Sequence, residues 1–220
     1  HPNPKKAMVI CFGTGNTTGT VSLFPEVKVD SIEIDKNVLS LAHHFKKWNQ
    51  NVLEKKNVQM VIQDGRTFTR WTKNKYDVIT LEPMSPVQAG TVSLYTKDFY
   101  ELSANILNKN GIMMQWLPLH LVGPEDARSI LKTFQEVFPH TSIWNSFLTR
   151  IVLLVGSKEE FRIDKIRFEE LMRLPQLKKS AQQIGINSFL DFTDFFITDG
   201  SRVNSFVQNA KIITDDRPML

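Results

Sequence analysis

Short, unalternating apolar runs recur along the first two-thirds of this chain, and between them the hydrophobic positions change to a spacing of three and four. Such runs read as parallel strands covered on both faces, and the wider spacing as amphipathic helices. The first run ends at Phe12, a second covers residues 27–34, and a helix is expected over 37–49 with Val38, Leu41, Ala42 and Phe45 on one face. A third strand is predicted over 58–63, then a short helix ending near Trp71, then a fourth strand over 76–81. Pro83 and Pro86 forbid regular structure after it. A helix over 97–107 meets a stop signal at Asn108-Lys109-Asn110-Gly111, and a fifth strand follows over 112–117. Gly123-Pro124 introduces a helix over 125–138, and 140–144 with 151–155 read as an antiparallel pair closing an otherwise parallel sheet. Beyond Ser157 the segments are charged and helical; Phe189, Phe192, Phe195 and Phe196 form a stripe expected to pack on the sheet or on a segment outside the chain. The expected organisation is an α/β domain over 1–158 that binds a nucleoside, and a helical extension over 159–220 packed on it. No internal repeat or low-complexity tract interrupts this order.

The first strand runs into Cys11-Phe12-Gly13-Thr14-Gly15-Asn16-Thr17-Thr18-Gly19. Glycines separated by small polar residues let a strand turn sharply into a helix and let the backbone approach a ligand closely. The same pattern also serves plain architecture. Glu33 lies eighteen residues beyond Gly15, close to the separation at which an acidic residue accepts hydrogen bonds from ribose hydroxyls. Glu33 and Asp35 can also simply cap the next helix. Thr18 stands where a dinucleotide fingerprint has its third glycine, which favours a nucleoside without a pyrophosphate.

Two further carboxylates follow strands in the same way. Asp64-Gly65 suits adenine, with the carboxylate accepting from the exocyclic amine, or else a helix cap. Glu82 follows an apolar strand and precedes Pro83, a place from which a carboxylate can orient a cation, remove a proton or pair with a basic rim residue. In open α/β sheets ligands sit beyond the carboxyl ends of the strands, so polar or acidic residues after four successive strands point to one site.

Composition narrows the classes. The 220 residues are 41% hydrophobic and 23% charged, ordinary for a globular domain, and the net charge of +4 is dispersed without interleaved aromatics, which argues against nucleic acid as a partner. One cysteine, Cys11, excludes an internal disulfide and suits a reducing compartment. No apolar run approaches a membrane span, and no signal peptide is visible. The five histidines form no ligand pattern, and no metal is assigned. The chain opens on His1-Pro2-Asn3-Pro4 and closes on Arg217-Pro218-Met219-Leu220, which reads as a domain cut from something longer.

Together residues 13–19, Ile32-Glu33-Ile34-Asp35, Asp64-Gly65-Arg66, Tyr76-Asp77-Val78-Ile79, Leu94-Tyr95-Thr96-Lys97-Asp98-Phe99-Tyr100, Gly111 and Gln115-Trp116-Leu117 resemble the nucleotide half of spermidine synthases. The likeness runs over about residues 7–158. It is nearest to spermidine-synthase-like domains fused to membrane segments in some bacterial proteins, which carry a similar Glu82-Pro83 with a nearby proline and a similar Thr214-Asp215-Asp216-Arg217-Pro218.

The resemblance implies a Rossmann-like, S-adenosylmethionine-dependent methyltransferase fold: a mostly parallel seven-stranded sheet with helices on both faces. It implies no permanently bound cofactor, with decarboxylated S-adenosylmethionine or S-adenosylmethionine as co-substrate. Gly13, Thr14, Gly15 and Asn16 would cradle the ligand, Glu33 would bind ribose with Asp35 beside it in the same site as a helix cap, and Asp64 with Gly65 would take adenine. Glu82 stands where those enzymes place a catalytic aspartate, supported by Tyr95, and the acceptor would be a small amine. Asn16 and Ser85 stand where acidic residues are usual, and no Tyr-Pro-rich segment lies between Pro139 and Ile151. The resemblance also implies an upstream membrane or β-domain segment, leaves a homodimer open, and places the domain in the cytoplasm or on the cytoplasmic side of a membrane protein. The alternatives are a methyltransferase on the same fold and a non-catalytic nucleoside-binding module.

Overall fold

A computed structural model describes residues 1–88 and 90–218. Eight strands form one sheet: β1 (Lys6–Ile10), β2 (Lys28–Glu33), β3 (Val58–Ile62), β4 (Tyr76–Leu81), β5 (Leu107–Pro118), β6 (His140–Asn145), β7 (Ile151–Ser157) and β8 (Phe196–Asp199). Their order is β3-β2-β1-β4-β5-β7-β6-β8. The pairings from β3 to β5 are parallel, and those of β7, β6 and β8 are antiparallel. The helices are α1 (Asn16–Val21), α2 (Lys36–Leu41), α3 (Gly65–Trp71), α4 (Lys97–Ile106), α5 (Pro124–Val137), α6 (Lys165–Leu171), α7 (Pro175–Gln183), α8 (Phe189–Thr193) and α9 (Gly200–Phe206).

Both faces of the sheet are covered, as the apolar character of its strands requires. Side chains alternate along a strand, so β1 feeds two separate cores. Ala7 and Val9 pack with Val27 and Val29, while Met8 and Ile10 join Phe99, Tyr100, Ile130 and Phe134 of α4 and α5. Tyr100 and Phe134 meet edge to face with centroids 5.2 Å apart, a favoured aromatic geometry.

Strand register sets the site. Ile10 pairs with Ile32 on one side and Leu81 on the other, Ile32 pairs with Val61, and Leu81 with Gln115. One row of paired residues therefore crosses the sheet at its carboxyl edge, and Cys11, Glu33 and Glu82 each lie one residue beyond it. Strand order reverses between β1 and β4, where doubly wound sheets open a crevice.

The structure departs from expectation in three places. The sheet has eight strands, not seven: Phe196 leaves the helical stripe and β8 pairs with the open edge of β6, so residues 159–220 are not helical throughout. The remaining stripe packs inward on the sheet, Phe192 stacking on Trp144 at 5.3 Å and on Phe168 at 5.4 Å. The helix expected over 37–49 ends at Leu41 and tightens into a 3-10 turn (Ala42–Phe45). The Asn49 carboxamide takes the Ala42 carbonyl, and Gln50 and Asn51 have positive φ, so the helix cannot continue. Finally, Asn108-Lys109-Asn110-Gly111 does not separate helix from strand; β5 already contains it, with Asn110 at φ 62 and a register shift opposite Tyr76 and Val78.

The end of the described chain is pinned to this frame. Thr214 and Arg217 close a turn, Lys97 N–H donates to the Ile213 carbonyl at 2.8 Å, and Asp215 N–H donates to Asp98 Oδ2 at 2.9 Å.

Gly19 shows how tightly α1 is set. An added Cβ would lie 2.2 Å from the Asn49 carbonyl oxygen, a backbone atom that cannot swing aside. Gly19→Ala should cost about 1–3 kcal/mol of stability, read from urea midpoints, whereas Thr20→Ala, exposed on the same helix, should stay within about 0.5 kcal/mol.

Candidate active site at the carboxyl ends of the strands

The chain leaves β1 through an unusual backbone: Cys11, Gly13 and Gly15 have φ of 69, 55 and 84. A carboxylate organises this loop. Glu33 Oε2 accepts from the N–H groups of Phe12 at 3.0 Å and Gly13 at 3.4 Å, and Oε1 accepts from Asp35 N–H at 3.0 Å. Glu33 is only 7% exposed, so each bond offsets a desolvation cost. Asn49 braces the far side, its Nδ2 donating to the Thr14 carbonyl at 3.0 Å. Gly13 has open space where a Cβ would be, while a Cβ on Gly15 would meet the Phe12 ring at 2.6 Å. Gly13 thus offers bare backbone to the crevice, and Gly15 serves the turn. Thr14 and Asn16 are exposed at the rim, and the Asn16 side chain makes no hydrogen bond among the described residues.

Asp35 and Asp64 are both helix caps. Asp35 Oδ1 accepts from Asn37 N–H at 2.8 Å at the start of α2, and Asp64 Oδ1 accepts from Thr67 N–H at 2.7 Å at the start of α3. Asp35 is exposed and Asp64 half-buried. The space freed by Gly65 is used by the protein itself: a Cβ there would lie 2.4 Å from Ile10 Cγ2, so this glycine lets α3 close over β1 rather than leaving room for a ring.

Glu82 is exposed at the end of β4 and its carboxylate accepts from the Thr17 hydroxyl of α1, which puts it against the glycine loop across the reversal point. Tyr95 is fully buried behind it and donates to the Met84 carbonyl at 3.2 Å, holding the loop that carries Glu82. Burial holds the Tyr95 phenol protonated far above its usual range, so it remains a donor.

Two groups were not among the expected site residues. Gln115, buried at the end of β5 beside Leu81, donates to the Leu94 carbonyl at 3.4 Å while its Oε1 has no partner. Its signal is a lone amide in an apolar strand. Arg66 donates to the Ser93 carbonyl and to Thr96 Oγ1 and pairs with Asp215, whose second oxygen accepts from Thr96 at 2.9 Å. This ties the first turn of α3 to the C-terminal turn.

The charge pattern at the mouth is one-sided. Burial first, then the carboxylates Glu33, Glu82 and Asp64, push the Cys11 thiol up to about 12. Residues 11–20 and 82–96 contain no lysine or arginine. Among the described residues, no group of three or more His, Cys, Asp or Glu is gathered as if for a metal ion, and no helix is long and apolar enough to cross a membrane.

Among known proteins, the chain is similar in sequence to polyamine aminopropyltransferases and in fold to spermidine synthases and a methyltransferase. The polyamine aminopropyltransferase of Saccharolobus solfataricus is 34% identical over 142 residues, which cover 63% of this chain and 47% of that protein. The chain therefore spans about half the length of that relative. A spermidine synthase crystallised with the transition-state analogue AdoDATO superposes with a TM-score of 0.73 at 21% identity, over 94% of this chain and 69% of the other. Human methyltransferase-like protein 13, crystallised with SAH, superposes with a TM-score of 0.64 at 18% identity, over 82% of this chain and 83% of the other. Likeness at such identities establishes the fold: an α/β, Rossmann-like, methyltransferase-type sheet. The spermine/spermidine synthase domain model matches residues 1–154, well over half of the sequence, and the chain accordingly belongs to the spermine/spermidine synthase domain family.

Proposed function

We propose that this domain transfers a 3-aminopropyl group from decarboxylated S-adenosylmethionine to an amine. The observation that carries the reading is that Glu33 holds the Phe12 and Gly13 N–H groups, Glu82 meets Thr17 of the same loop, and Gly65 beside Asp64 lies against Ile10, with no lysine or arginine in residues 11–20 and 82–96. The decarboxylated nucleoside carries a sulfonium and an ammonium, and both suit such a mouth. S-adenosylmethionine also carries a carboxylate, which would meet carboxylates and find no side-chain cation there. The nearest arginine on β3's exit, Arg66, is already engaged by Asp215. In this reading Glu33 holds the loop and shares the ribose, Asp64 takes the adenine amine with the oxygen its cap leaves free, and the Gly13 backbone lies against the nucleoside.

The chemistry is an in-line displacement. The acceptor nitrogen forms a bond to the carbon beside sulfur, the carbon–sulfur bond breaks, and its electron pair stays on a neutral thioether that needs no acid to leave. The difficulty is the nucleophile, since an alkylamine with a pKa near 10.4 is neutral about once in a few thousand molecules at pH 7. Glu82 orients the ammonium and takes one of its protons, which frees the nitrogen lone pair that then forms the N–C bond. Thr17 aims that carboxylate, and Tyr95 positions its loop through the Met84 carbonyl.

Three outcomes are expected. Glu82→Gln should lower kcat by about 10²–10⁴-fold while the nucleoside Kd from calorimetry changes little; unaltered turnover would remove Glu82 from the chemistry. Glu33→Ala should weaken nucleoside binding about ten- to a hundredfold, the worth of its charged hydrogen bonds, and Asp35→Ala should not. Titrating both nucleosides into the same protein should show the decarboxylated form binding about tenfold tighter or more, and equal affinity would defeat the charge argument.

A further inference from the structure

Resting on that reading, we propose that the acceptor is a monoamine with an apolar tail rather than a diamine. On the side of Glu82 away from the glycine loop, three segments follow one another in sheet order: 82–96 after β4, 118–123 after β5, and 145–150 at the tip between β6 and β7. Register places all three at the carboxyl edge, because Leu81 pairs with Gln115 and Pro118 with Ile151. Hydrogen bonds join them into one surface. Ser85 Oγ donates to the Leu121 carbonyl at 3.3 Å, and Leu119 N–H donates to the Arg150 carbonyl at 2.9 Å.

Glu82 is the only carboxylate in these three segments; the other titratable groups are the buried Tyr95, His120 and Arg150. The tip opens on a hollow of about 320 Å³, which Asp194 borders together with Arg150, so its charges cancel. A diamine bound through one nitrogen at Glu82 would carry its far ammonium onto a surface with no net negative charge. Ser85 cannot supply one: it is buried and its hydroxyl is spent on a carbonyl.

What the surface offers instead is hydrocarbon. Met84 is 64% exposed, Leu119 41%, Leu121 45%, Phe147 61% and Leu148 45%. These side chains lie on segments that follow one another along the edge from Glu82 to the hollow, which Phe147 and Leu148 line. An alkyl tail laid along them is desolvated while its ammonium stays with Glu82. The products would be the N-(3-aminopropyl)alkylamine and methylthioadenosine, with the proton passing to Glu82 and then to water.

The test compares kcat/KM for straight-chain alkylamines with diamines of equal length, using decarboxylated S-adenosylmethionine and following methylthioadenosine release. The alkylamine should be favoured about tenfold or more, with a gain of about two- to fourfold for each added methylene up to the hollow. In Leu121→Glu, a change on an exposed side chain that should melt like the parent, the preference should swing toward the diamine. A diamine used as well as its alkylamine in the parent, or no swing in Leu121→Glu, overturns this inference and leaves aminopropyl transfer standing. Consumption of no amine while the nucleoside still binds overturns both.

Discussion

Everything at the carboxyl edge depends on one buried carboxylate. Glu33 is the group that makes the exit from β1 tenable. Cys11 sits at φ 69, a region that costs a residue with a Cβ about 1 kcal/mol or more, and two glycines follow at positive φ. The N–H groups turned inward by this path would be unpaired without Glu33. The path in turn delivers Thr17 to Glu82 and leaves Gly13 bare toward the crevice. A side chain that looks from its sequence position like a ligand-binding carboxylate is, in the structure, first the frame of the loop. The two roles are compatible, since an oxygen that accepts one or two backbone protons keeps lone-pair capacity for a ribose hydroxyl.

Three carboxylates lie near the end of β1. Burial first, and their field second, hold the Cys11 thiol above its usual range. The two loops on either side of the crevice, residues 11–20 and 82–96, hold no lysine or arginine. The nearest basic residues in the chain that follow the other two strands are Lys36, which opens α2, and Arg66, which pairs with Asp215.

The first five strands are legible because apolar runs are local signals, and β1, β2 and β4 are buried along almost their whole length. Tyr76–Leu81 is found where its unbroken apolar run puts it. What escaped depends on partners far along the chain. Phe196 continues a helical stripe by spacing alone, yet the unpaired edge of β6 draws it into β8. The helix over 37–49 reads well as a helix until Asn49 finds the Thr14 and Ala42 carbonyls. Gly65 shows the same limit at the site: the motif is visible, but only the packing reveals that Ile10 fills the space. Tyr95 likewise reads as a partner of Glu82, whereas its hydroxyl reaches Met84.

The C-terminal turn illustrates how distant residues enter the chemistry without touching it. Arg66 follows directly on Asp64-Gly65, and a free guanidinium there would cancel part of the negative field at the mouth. Asp215, nearly 150 positions away in sequence, pairs with it instead, while Thr96 and the Ser93 carbonyl take its remaining donors. Arg66 is thereby spent on joining α3, the start of α4 and the end of the chain. The pairing is worth more than a surface ion pair because the Arg66 side chain is 13% exposed and its fork is shared among three acceptors. The last turn of the described chain thus neutralises the guanidinium that follows directly on Asp64-Gly65.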